Sequence, residues 1–343
     1  MSQVAELNVF IIETELQLIS YVAISKIENE TNTLAFVTSQ VLLEYLLSIG
    51  HRNVSLIDRS HKGGWIGKVR FLRKCYVKVE AEILKTLAYG ETLKLFTPRI
   101  DSLYNNFIFA GLTSRFNVEL CLIPDGAISF FSVDLSQEKK SLLKKWNMLF
   151  SVLPFLKMKA LVFEGDELGG DLASNIYCFG NVAMKYPESK IRRISFPYGD
   201  EFKKAINTEA KVLIVGQNIQ RYNLASTDYV LSVERKIADV IRDLDPIVVD
   251  YAKHPRSFLN EFKIENSQDV VSDALCVEQL IVQRGYTHVL SCYSSALINA
   301  KLIAEERIEA ISVGVLDFPF SDERQREQLL SVFSQLNVHV VSL

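Results

Sequence analysis

Short apolar runs alternate along the chain with longer stretches in which apolar residues recur at helical spacing. Continuous apolar runs of about four to eight residues are typical of strands buried in parallel sheets. The alternation therefore predicts an α/β fold made of βαβ units. Helices are predicted over 17–26 and 41–49. The strands predicted in the first half are Val9–Ile12, Leu34–Val37, Ser55–Ile57, Phe107–Ala110, Glu119–Ile123 and Ala160–Phe163.

A second series of apolar runs predicts a second domain of the same kind. Its predicted strands are Val212–Val215, Ile247–Val249, His288–Ser291 and Ile311–Val315. The segment 186–207 between the two series carries prolines, a glycine and many charges, which is typical of a linker. We therefore predict domains at residues 1–195 and 196–343. A last helix is predicted to start after Asp322, with Gln325 completing a capping pattern, and to run to about Leu336.

The composition narrows the classes of protein that fit. Hydrophobic residues make up 48% and charged residues 23% of the 343 residues, which is typical of globular proteins. A net charge of −3 argues against a general nucleic-acid binder. No apolar run is long enough to predict a transmembrane helix, and no basic segment precedes the first apolar run as it would in a secretory signal. Five dispersed cysteines without C-x-x-C spacing predict buried thiols in a reducing cytoplasm.

A cationic loop follows one predicted strand of the second half. The loop Lys253, His254, Pro255 and Arg256 follows the predicted strand Ile247–Val249. Open α/β sheets bind ligands at the carboxyl ends of their strands, and cationic donors there suit a phosphate. A surface loop with an exposed histidine explains the same residues equally well.

Paired hydroxyls and a carboxylate lie further along the second half. Ser294 and Ser295 stand where a predicted strand meets a helix, a position that suits an anion and also suits simple capping. Glu278 lies near the start of another predicted helix, where it could accept hydrogen bonds from a ribose or only complement the helix dipole.

An acidic turn follows a predicted strand of the first half. Asp125 and Gly126 come after Glu119–Ile123, so the carboxylate is a candidate general base and the glycine permits a sharp turn. Ordinary turn chemistry accounts for an Asp-Gly pair as well.

Taken together, these motifs resemble those of the bacterial sialyltransferases with the GT-B fold, which include lipooligosaccharide sialyltransferases and polysialyltransferases. Those families carry an acidic motif that ends in glycine, then an H-P motif, then paired serines. The matching residues here are Asp125-Gly126, His254-Pro255 and Ser294-Ser295. Thr14 and Gln17-Leu18 match the opening strand, loop and helix of the families. The resemblance spans nearly the whole chain, and its specificity comes from the order and spacing of short motifs.

The resemblance implies two Rossmann-like domains with the active site in the cleft between them, and a final helix that packs back on the first domain. It implies an inverting transfer of sialic acid, or a related nonulosonate, from a CMP-sugar to a glycan or glycolipid acceptor, with no cofactor and no metal. The catalytic residues would be Asp125 as base and His254 at the leaving phosphate. Ser294 and Ser295 would bind that phosphate.

The remaining roles are also implied by the resemblance. Donor-binding residues would further include Gly216, Gln217, Lys253, Pro255 and Glu278, and the acceptor side or the cleft would include Thr14, Gln17 and Gly126. Two alternatives stay open: a CMP-Kdo transferase, since capsule Kdo transferases also use an H-P motif, and a non-catalytic GT-B-like module that binds nucleotides or glycans.

One position departs from the families. The first acid of the acidic motif is Pro124 here, so the turn Glu164-Gly165-Asp166 is a second candidate for the base. The pair Asp243 and Asp245 fits the D-x-D of metal-dependent transferases, but it precedes Pro246, and we interpret it as turn residues.

A basic stretch at 59–74 holds six Lys or Arg and no acid, with Trp65, Ile66 and Phe71 among them. This pattern predicts either a solvated basic face or a surface for anionic membranes and glycans. The localisation predicted is cytoplasmic, with this stretch as the surface for peripheral contact with the inner face of the membrane. No nucleic-acid partner is predicted.

Overall fold

The computed structural model describes residues 6–28, 32–57, 64–130, 133–152, 159–197, 209–219, 224–254, 260–270, 276–304, 307–320 and 322–343. The chain divides into two compact units. The first unit comprises Met1–Asp125, Val133–Cys178 and Tyr186–Ile194, and the second unit comprises Gly126–Ser132, Phe179–Lys185 and Ser195–Leu343. Two short pieces, 126–132 and 179–185, thus group with the second unit although they fall inside the range 1–195.

The first unit holds a seven-stranded sheet with the strand order β3-β2-β1-β4-β5-β6-β7. The pairings between neighbouring strands from β3 to β6 in this order are parallel. All six residues of β1 are buried, as in a sheet covered on both faces. The strands are β1 Leu7–Ile12, β2 Thr33–Val37, β3 Val54–Leu56, β4 Thr92–Thr97, β5 Asn117–Leu122, β6 Asn175–Phe179 and β7 Ile191–Ile194.

Five α-helices lie between these strands in the part of the first unit that the structure describes. Two of them begin at serines whose side chains accept a main-chain N–H of the first turn: Ser39 accepts from Leu42 and Ser102 from Asn105. The helices are α1 Glu15–Ser25, α2 Gln40–Ser48, α3 Trp65–Ile83, α4 Leu103–Thr113 and α5 Gln137–Val152. A 3₁₀ helix, Glu188–Lys190, precedes β7.

Two predicted strands of the first half are wrong. Phe107–Ala110 lies inside α4, whose residues from Tyr104 to Leu112 are all buried. A helix buried on every side shows an unbroken apolar run, which periodicity does not separate from a strand. Ala160–Phe163 has no regular structure, because the Asn106 side chain takes the place of a strand partner. Its amide bonds both the N–H and the C=O of Leu161, at 2.8 and 2.9 Å.

Three strands of the first unit were not predicted: β4, β6 and β7. Strand β4 mixes polar and apolar residues: partly buried Thr92 and Lys94 alternate with buried Leu93 and Leu95. Strand β7 has two exposed arginines at its centre and lies within the predicted linker, so that the linker prediction is wrong over Ile191–Ile194. These strands are held by their sheet neighbours rather than by a strong local pattern.

The second unit repeats the arrangement of the first in a six-stranded sheet with the order β10-β9-β8-β11-β12-β13. All five pairings are parallel. Numbered from β8, the order is 3-2-1-4-5-6, which is that of dinucleotide-binding folds, and β3 to β6 of the first unit follow the same order. The strands are β8 Lys211–Val215, β9 Val248–Ala252, β10 Gln268–Asp269, β11 His288–Ser291, β12 Glu309–Val313 and β13 His339–Val341.

The α-helices among the described residues of the second unit are α6 Thr227–Leu244, α7 Val277–Arg284, α8 Ser295–Ala304 and α9 Glu323–Gln335. The prediction for the last helix is confirmed, since Asp322 caps α9 by accepting the N–H of Arg324 at 2.9 Å. Helix α9 belongs to the second unit. Its packing back on the first domain stays a prediction.

The turn interpretation of Asp243 and Asp245 is confirmed. Asp243 lies in the last turn of α6, and Asp245 ends that helix with a left-handed φ of 44°. Both residues precede β9, so they lie at the amino edge of the sheet, away from the loops that follow the strands. In the described part of the chain, no helix is both long and apolar enough to cross a membrane.

Candidate active site

Asp125 follows β5 at the carboxyl edge of the first sheet. Its Oδ1 accepts a hydrogen bond from Nε2 of Gln17 at 2.8 Å. Gln17 lies in the first turns of α1 with 1% of its surface exposed, and its Oε1 accepts the main-chain N–H of Glu13 at 2.7 Å. A buried amide on helix α1 thus holds the carboxylate, and both the nitrogen and the oxygen of the amide are engaged.

A network of charges surrounds this carboxylate. Arg99, in the loop after β4, places a guanidinium nitrogen 3.8 Å from Oδ2 of Asp125. The same guanidinium binds both oxygens of Asp101 and lies 3.3 Å from Glu167. Lys139 bridges Asp101 and Glu167 in turn. Because the Arg99 guanidinium is also paired with two other carboxylates, it neutralises the charge of Asp125 only in part.

The environment of Asp125 favours its protonated form. Burial, the largest cause, raises the pKa of the Asp125 carboxyl, and the carboxylates of Glu13 and Asp101 act in the same direction. The hydrogen bond from Gln17 and the charge of Arg99 oppose these effects without cancelling them. A partly exposed carboxylate with a raised pKa takes up a proton more readily than an ordinary aspartate, as a general base must.

The second candidate for the base is differently placed. Glu164 has 72% of its side chain exposed and pairs with Lys140, whose hydrogen bond lowers the pKa of the glutamate. Asp166 accepts hydrogen bonds from the hydroxyl of Tyr186 at 2.5 Å and from the N–H of Gly170 at 3.4 Å. Lys140 thus makes Glu164 a weaker base, and Asp166 is engaged by two hydrogen-bond donors. Of the two candidates, the contacts favour Asp125.

Thr14 and Gly126 occupy turns. Thr14 is the N-cap residue of α1, but its side chain makes no capping hydrogen bond. Gly126 opens a 3₁₀ helix, Gly126–Ser129, with a φ of +71°, a conformation that favours glycine. Gly126 is grouped with the second unit, where a Cβ added to it would lie 3.4 Å from Oγ of Ser295. Two of the matched motifs, the glycine and the paired serines, are therefore neighbours.

His254 follows β9 at the carboxyl edge of the second sheet. Its Nδ1 lies 2.8 Å from Nδ2 of Asn218, in the loop after the adjacent strand β8. Gln217 in the same loop reaches the other neighbour of β8: its Oε1 accepts the N–H of Tyr293 at 2.9 Å and the hydroxyl of Ser291 at 3.3 Å. The β8 loop therefore ties together the loops after β9 and β11, at the point where the strand order reverses and where open α/β sheets bind ligands.

Gly216 precedes these two residues, and its close neighbour is a side chain. A Cβ at this position would lie 2.8 Å from Oη of Tyr251, which accepts main-chain N–H groups from Glu261 and Phe262 at 3.1 and 3.2 Å. The contact with Tyr251 explains why a residue without a side chain stands at position 216. The predicted role of Gly216 in lining the donor site stays a prediction.

The paired serines stand at the N-terminus of α8. The hydroxyl of Ser294 accepts the N–H of Ala296 at 3.2 Å, so the predicted capping is present. The hydroxyl of Ser295 makes no hydrogen bond to any described residue, and both serines are partly exposed. Ser294 thus binds the N–H groups of Ala296 and Leu297, through its hydroxyl and its main-chain oxygen. The described contacts leave the hydroxyl of Ser295 as the candidate donor to an anion at this end of the helix.

Glu278 has a protein partner. It lies in the first turn of α7 with 7% of its surface exposed, and Oε1 accepts a hydrogen bond from Nδ2 of Asn299 on α8 at 2.6 Å. Burial and the charge of Glu278 raise the pKa of the neighbouring Cys276 thiol. The carboxylate thus joins α7 to α8, and its predicted contact with a ribose stays a prediction.

Two residues of the cationic loop remain. Lys253 forms an ion pair with Asp269 of β10 at 2.6 Å, which already gives its charge a partner. Pro255 and Arg256 lie outside the described residues, as do the basic residues Arg59 and Lys62.

The described part of the basic stretch lies on α3. Trp65 and Ile66 at its start are 59% and 51% exposed, and Arg70, Arg73 and Lys74 are exposed further along. Phe71 is partly buried and stacks on Tyr104, with ring centroids 6.5 Å apart. The exposed side of α3 thus combines cations with large apolar side chains.

Four site residues were not predicted from the sequence. Arg99 and Asn218 contact the two predicted catalytic side chains, Asn299 contacts Glu278, and Glu261 accepts the N–H of Gln217 at 3.0 Å. Asn218 lies three residues after the predicted strand Val212–Val215. Its position at the end of a strand was the feature of the sequence that could have indicated a site residue. Within the described ranges, no group of three or more His, Cys, Asp or Glu is arranged to hold a metal ion.

A model of the alpha-2,8-polysialyltransferase family (POLYST) matches residues 76–310 of the chain. The chain belongs to this family. It is therefore a glycosyltransferase of the sialyltransferase type, as the motifs predicted. A search of curated proteins found no match.

Solved structures agree on the fold. The 2,6-sialyltransferase of Photobacterium sp. JT-ISH-224, in a ternary complex with CMP and lactose, is 13% identical with a TM-score of 0.54, over 98% of this chain and 78% of that chain. The UDP-GlcNAc 2-epimerase of Methanocaldococcus jannaschii is 12% identical with a TM-score of 0.52, over 96% and 92%. At these identities the likeness concerns the fold alone, and the predicted GT-B fold class with two Rossmann-like sheets is confirmed.

Proposed function

We propose that the protein transfers sialic acid, or a related nonulosonate, from a CMP-sugar to a glycan or glycolipid acceptor, with inversion and without a metal ion. Membership of the polysialyltransferase family supports the sugar and the acceptor class. The Photobacterium sialyltransferase, which shares the fold, was solved with CMP and lactose, and this supports the donor nucleotide.

The reaction exchanges one bond of the sugar for another. The acceptor hydroxyl oxygen attacks the anomeric carbon and forms the new glycosidic bond, while the bond from that carbon to the CMP phosphate breaks. The electron pair leaves with the phosphate, and the hydroxyl proton passes to a base on the opposite side of the sugar. Inversion follows from this single displacement.

Asp125 takes the role of the base, and its contacts are the observation that carries the proposal. It is held at one oxygen by Gln17, and burial raises the pKa of its carboxyl. A carboxylate whose pKa is raised in this way accepts a proton more readily than an ordinary aspartate.

The second unit supplies the groups for the leaving phosphate. His254, Ser295 and the N-terminus of α8 all follow strands at the carboxyl edge of one sheet, and each offers a hydrogen-bond donor to an anion. CMP carries a single phosphate, so that donors of this kind neutralise its charge without a divalent ion. Glu278 is proposed to hold the ribose with the oxygen that Asn299 does not occupy.

The exposed side of α3 is proposed as the surface for an anionic membrane at the cytoplasmic face. Its cations would contact lipid headgroups, and Trp65 and Ile66 would enter the interface, where aromatic and apolar side chains are favoured.

The test of the base compares Asp125→Asn with Asp166→Asn. Transfer should fall by about 10²–10⁴ in Asp125→Asn, the usual contribution of a general base, while CMP binding stays near that of the wild type. The matched variant Asp166→Asn should keep most of its transfer rate, because Tyr186 and Gly170 still bond its amide oxygen. Transfer is followed by CMP release and by the glycan product.

The opposite pattern would move the base elsewhere. If Asp125→Asn keeps its activity and Asp166→Asn or Glu164→Gln loses it, the base belongs to the turn at 164–166. A thermal melt of each variant separates loss of catalysis from loss of folding.

A further inference from the structure

Four charged side chains of the first unit lie close to Asp125 and form what we call the Arg99 cluster: Arg99, Asp101, Lys139 and Glu167. One guanidinium nitrogen of Arg99 lies 3.8 Å from Oδ2 of Asp125, and the others bind two carboxylates of the cluster. We propose that Lys139 and Glu167 are positioning residues of opposite effect. Acting through the rest of the cluster, the lysine favours the ionised form of Asp125 and the glutamate opposes it. This inference rests on the proposed function, which makes Asp125 the base.

The ion pairs of the Arg99 cluster form a closed ring. Arg99 binds both oxygens of Asp101, and its Nη2 lies 3.3 Å from Oε1 of Glu167. Lys139 binds Oδ2 of Asp101 and lies 2.6 Å from Oε2 of Glu167. Each cation thus binds both carboxylates, and each carboxylate binds both cations. The side chains of Asp101 and Glu167 are only 2% and 7% exposed, so solvent screens these pairs weakly.

Main-chain hydrogen bonds join the three segments of the chain that carry the cluster. The N–H of Ile100 donates to the C=O of Leu168 at 3.1 Å, which joins the loop after β4 to the loop before β6. The N–H of Glu167 donates to the C=O of Val133 at 2.9 Å, which joins that loop to the segment before α5. Lys139 follows in the first turn of α5. The three segments are therefore held together by bonds that do not involve the charged side chains.

The charges of the cluster act on Asp125 in opposite directions. Burial opposes the ionisation of Asp101, but hydrogen bonds and charges from Arg99 and Lys139 outweigh it and lower the pKa of its carboxyl. Asp101 is therefore a negative charge that acts on Asp125 against the positive charge of Arg99. Lys139 offsets the carboxylates of the cluster, so more of the effect of Arg99 remains at Asp125. Glu167 does the reverse, since a negative charge disfavours the ionisation of a nearby carboxyl.

The other groups that act on Asp125 stay the same when positions 139 and 167 are changed. Burial has the largest effect on the pKa of the Asp125 carboxyl and raises it. The hydrogen bond from Gln17 on α1 lowers this pKa, and the charge of Glu13, in the loop after β1, raises it. A difference in the titration of Asp125 between the wild type and these variants therefore reports the charges at positions 139 and 167.

The test removes the two charges singly and together. Lys139→Met keeps an unbranched side chain and removes the positive charge, so Asp125 should titrate at a pH that is higher by about half a unit or more. Glu167→Gln keeps the shape of the side chain and one accepting oxygen, so Asp125 should titrate lower by about the same amount. In the double variant both charges are absent, and the titration should return towards that of the wild type.

Two measurements decide the proposal. The ¹³C signal of the Asp125 carboxyl, in protein labelled at the side-chain carbon of aspartate and assigned with Asp125→Asn, gives its titration without any need for activity. The acid limb of kcat/KM for CMP release should move in the same direction as this titration in each variant. The matched control is Lys145→Met, the same substitution at an exposed position of α5, which should leave both measurements unchanged.

Titrations that shift in the same direction in Lys139→Met and Glu167→Gln, or that shift in neither, would overturn the proposal, because removal of opposite charges must have opposite effects. A disturbance of the fold would lower the melting temperature of both variants, and the double variant would not restore the titration. If the titration shifts as expected and the acid limb does not follow, Asp125 is not the base. That result would refute this part of the proposed function and leave the effect of the cluster on Asp125 standing.

Discussion

Replacement of Gln17 by methionine is the sharpest perturbation of the proposed base. Methionine has a similar length and volume but offers no donor to Oδ1 of Asp125. Because Gln17 is 1% exposed, water does not readily replace the lost N–H. The hydrogen bond favours the ionised carboxylate, so its loss should raise the pKa of Asp125 further.

The magnitude follows from the strength of a hydrogen bond to a charged group, which is about 1.5–3 kcal/mol. At about 1.36 kcal/mol for each pH unit, the acid limb of kcat/KM should move up by about one to two units. The base must be ionised, so activity should be lost at the acidic end and largely regained at higher pH. Glu13 also loses a partner for its N–H, and the melting temperature should fall.

The assay is kcat/KM for CMP release across the pH range, with Gln40→Met, an exposed glutamine of α2, as the control. An unchanged acid limb in Gln17→Met would refute the reasoning, whatever happened to the plateau. It would show either that Asp125 is not the base or that Gln17 does not set its ionisation.

Two further predictions concern a packing contact and a surface. Gly216→Ala should destabilise the second unit by about 1–3 kcal/mol, because the added methyl group would lie 2.8 Å from Oη of Tyr251. The double variant with Tyr251→Phe should have a higher melting temperature than Gly216→Ala alone. A lower melting temperature would refute the explanation that Tyr251 excludes a side chain at position 216. Reversal of Arg70, Arg73 and Lys74 to Glu should weaken binding to vesicles of anionic phospholipid by about 100-fold or more, at about 1 kcal/mol for each cation removed. The same reversal at Lys26, Arg52 and Arg242 is the control, and equal loss in both variants would leave α3 an ordinary solvated face.

Much of the fold could be predicted from the sequence, because strands buried on both faces produce short apolar runs. Strands β1, β2, β8 and β11 were predicted within about two residues of their observed ends. Errors arose where local pattern and tertiary context disagree. Helix α4 is buried on all sides and shows no polar face, and Ala160–Phe163 is apolar but bonded by the side chain of Asn106.

In the candidate site, too, some residues could be predicted from local pattern and others depend on tertiary contacts. Asp125, His254 and the paired serines could be found because they follow strands in a recognisable order. Gln17 was also found, through its match to the families, but its contact with Asp125 across 108 positions of the chain could not be predicted. Asn218 was not found at all, and it meets His254 across 36 positions. Such contacts depend on which strands are neighbours in the sheet, and short motifs contain no information about that order.

Donor specificity without metal is the most direct measurement of what the protein does. The wild type is incubated with CMP-sialic acid, CMP-Kdo or UDP-GlcNAc in excess EDTA, with and without a sialylated glycan acceptor, and nucleotide release and product are followed. We expect CMP release from CMP-sialic acid that is slow alone, faster with the acceptor, and unaffected by EDTA. Release from UDP-GlcNAc that exceeds release from the CMP-sugars, or activity that EDTA abolishes and Mn²⁺ restores, would contradict the proposed function.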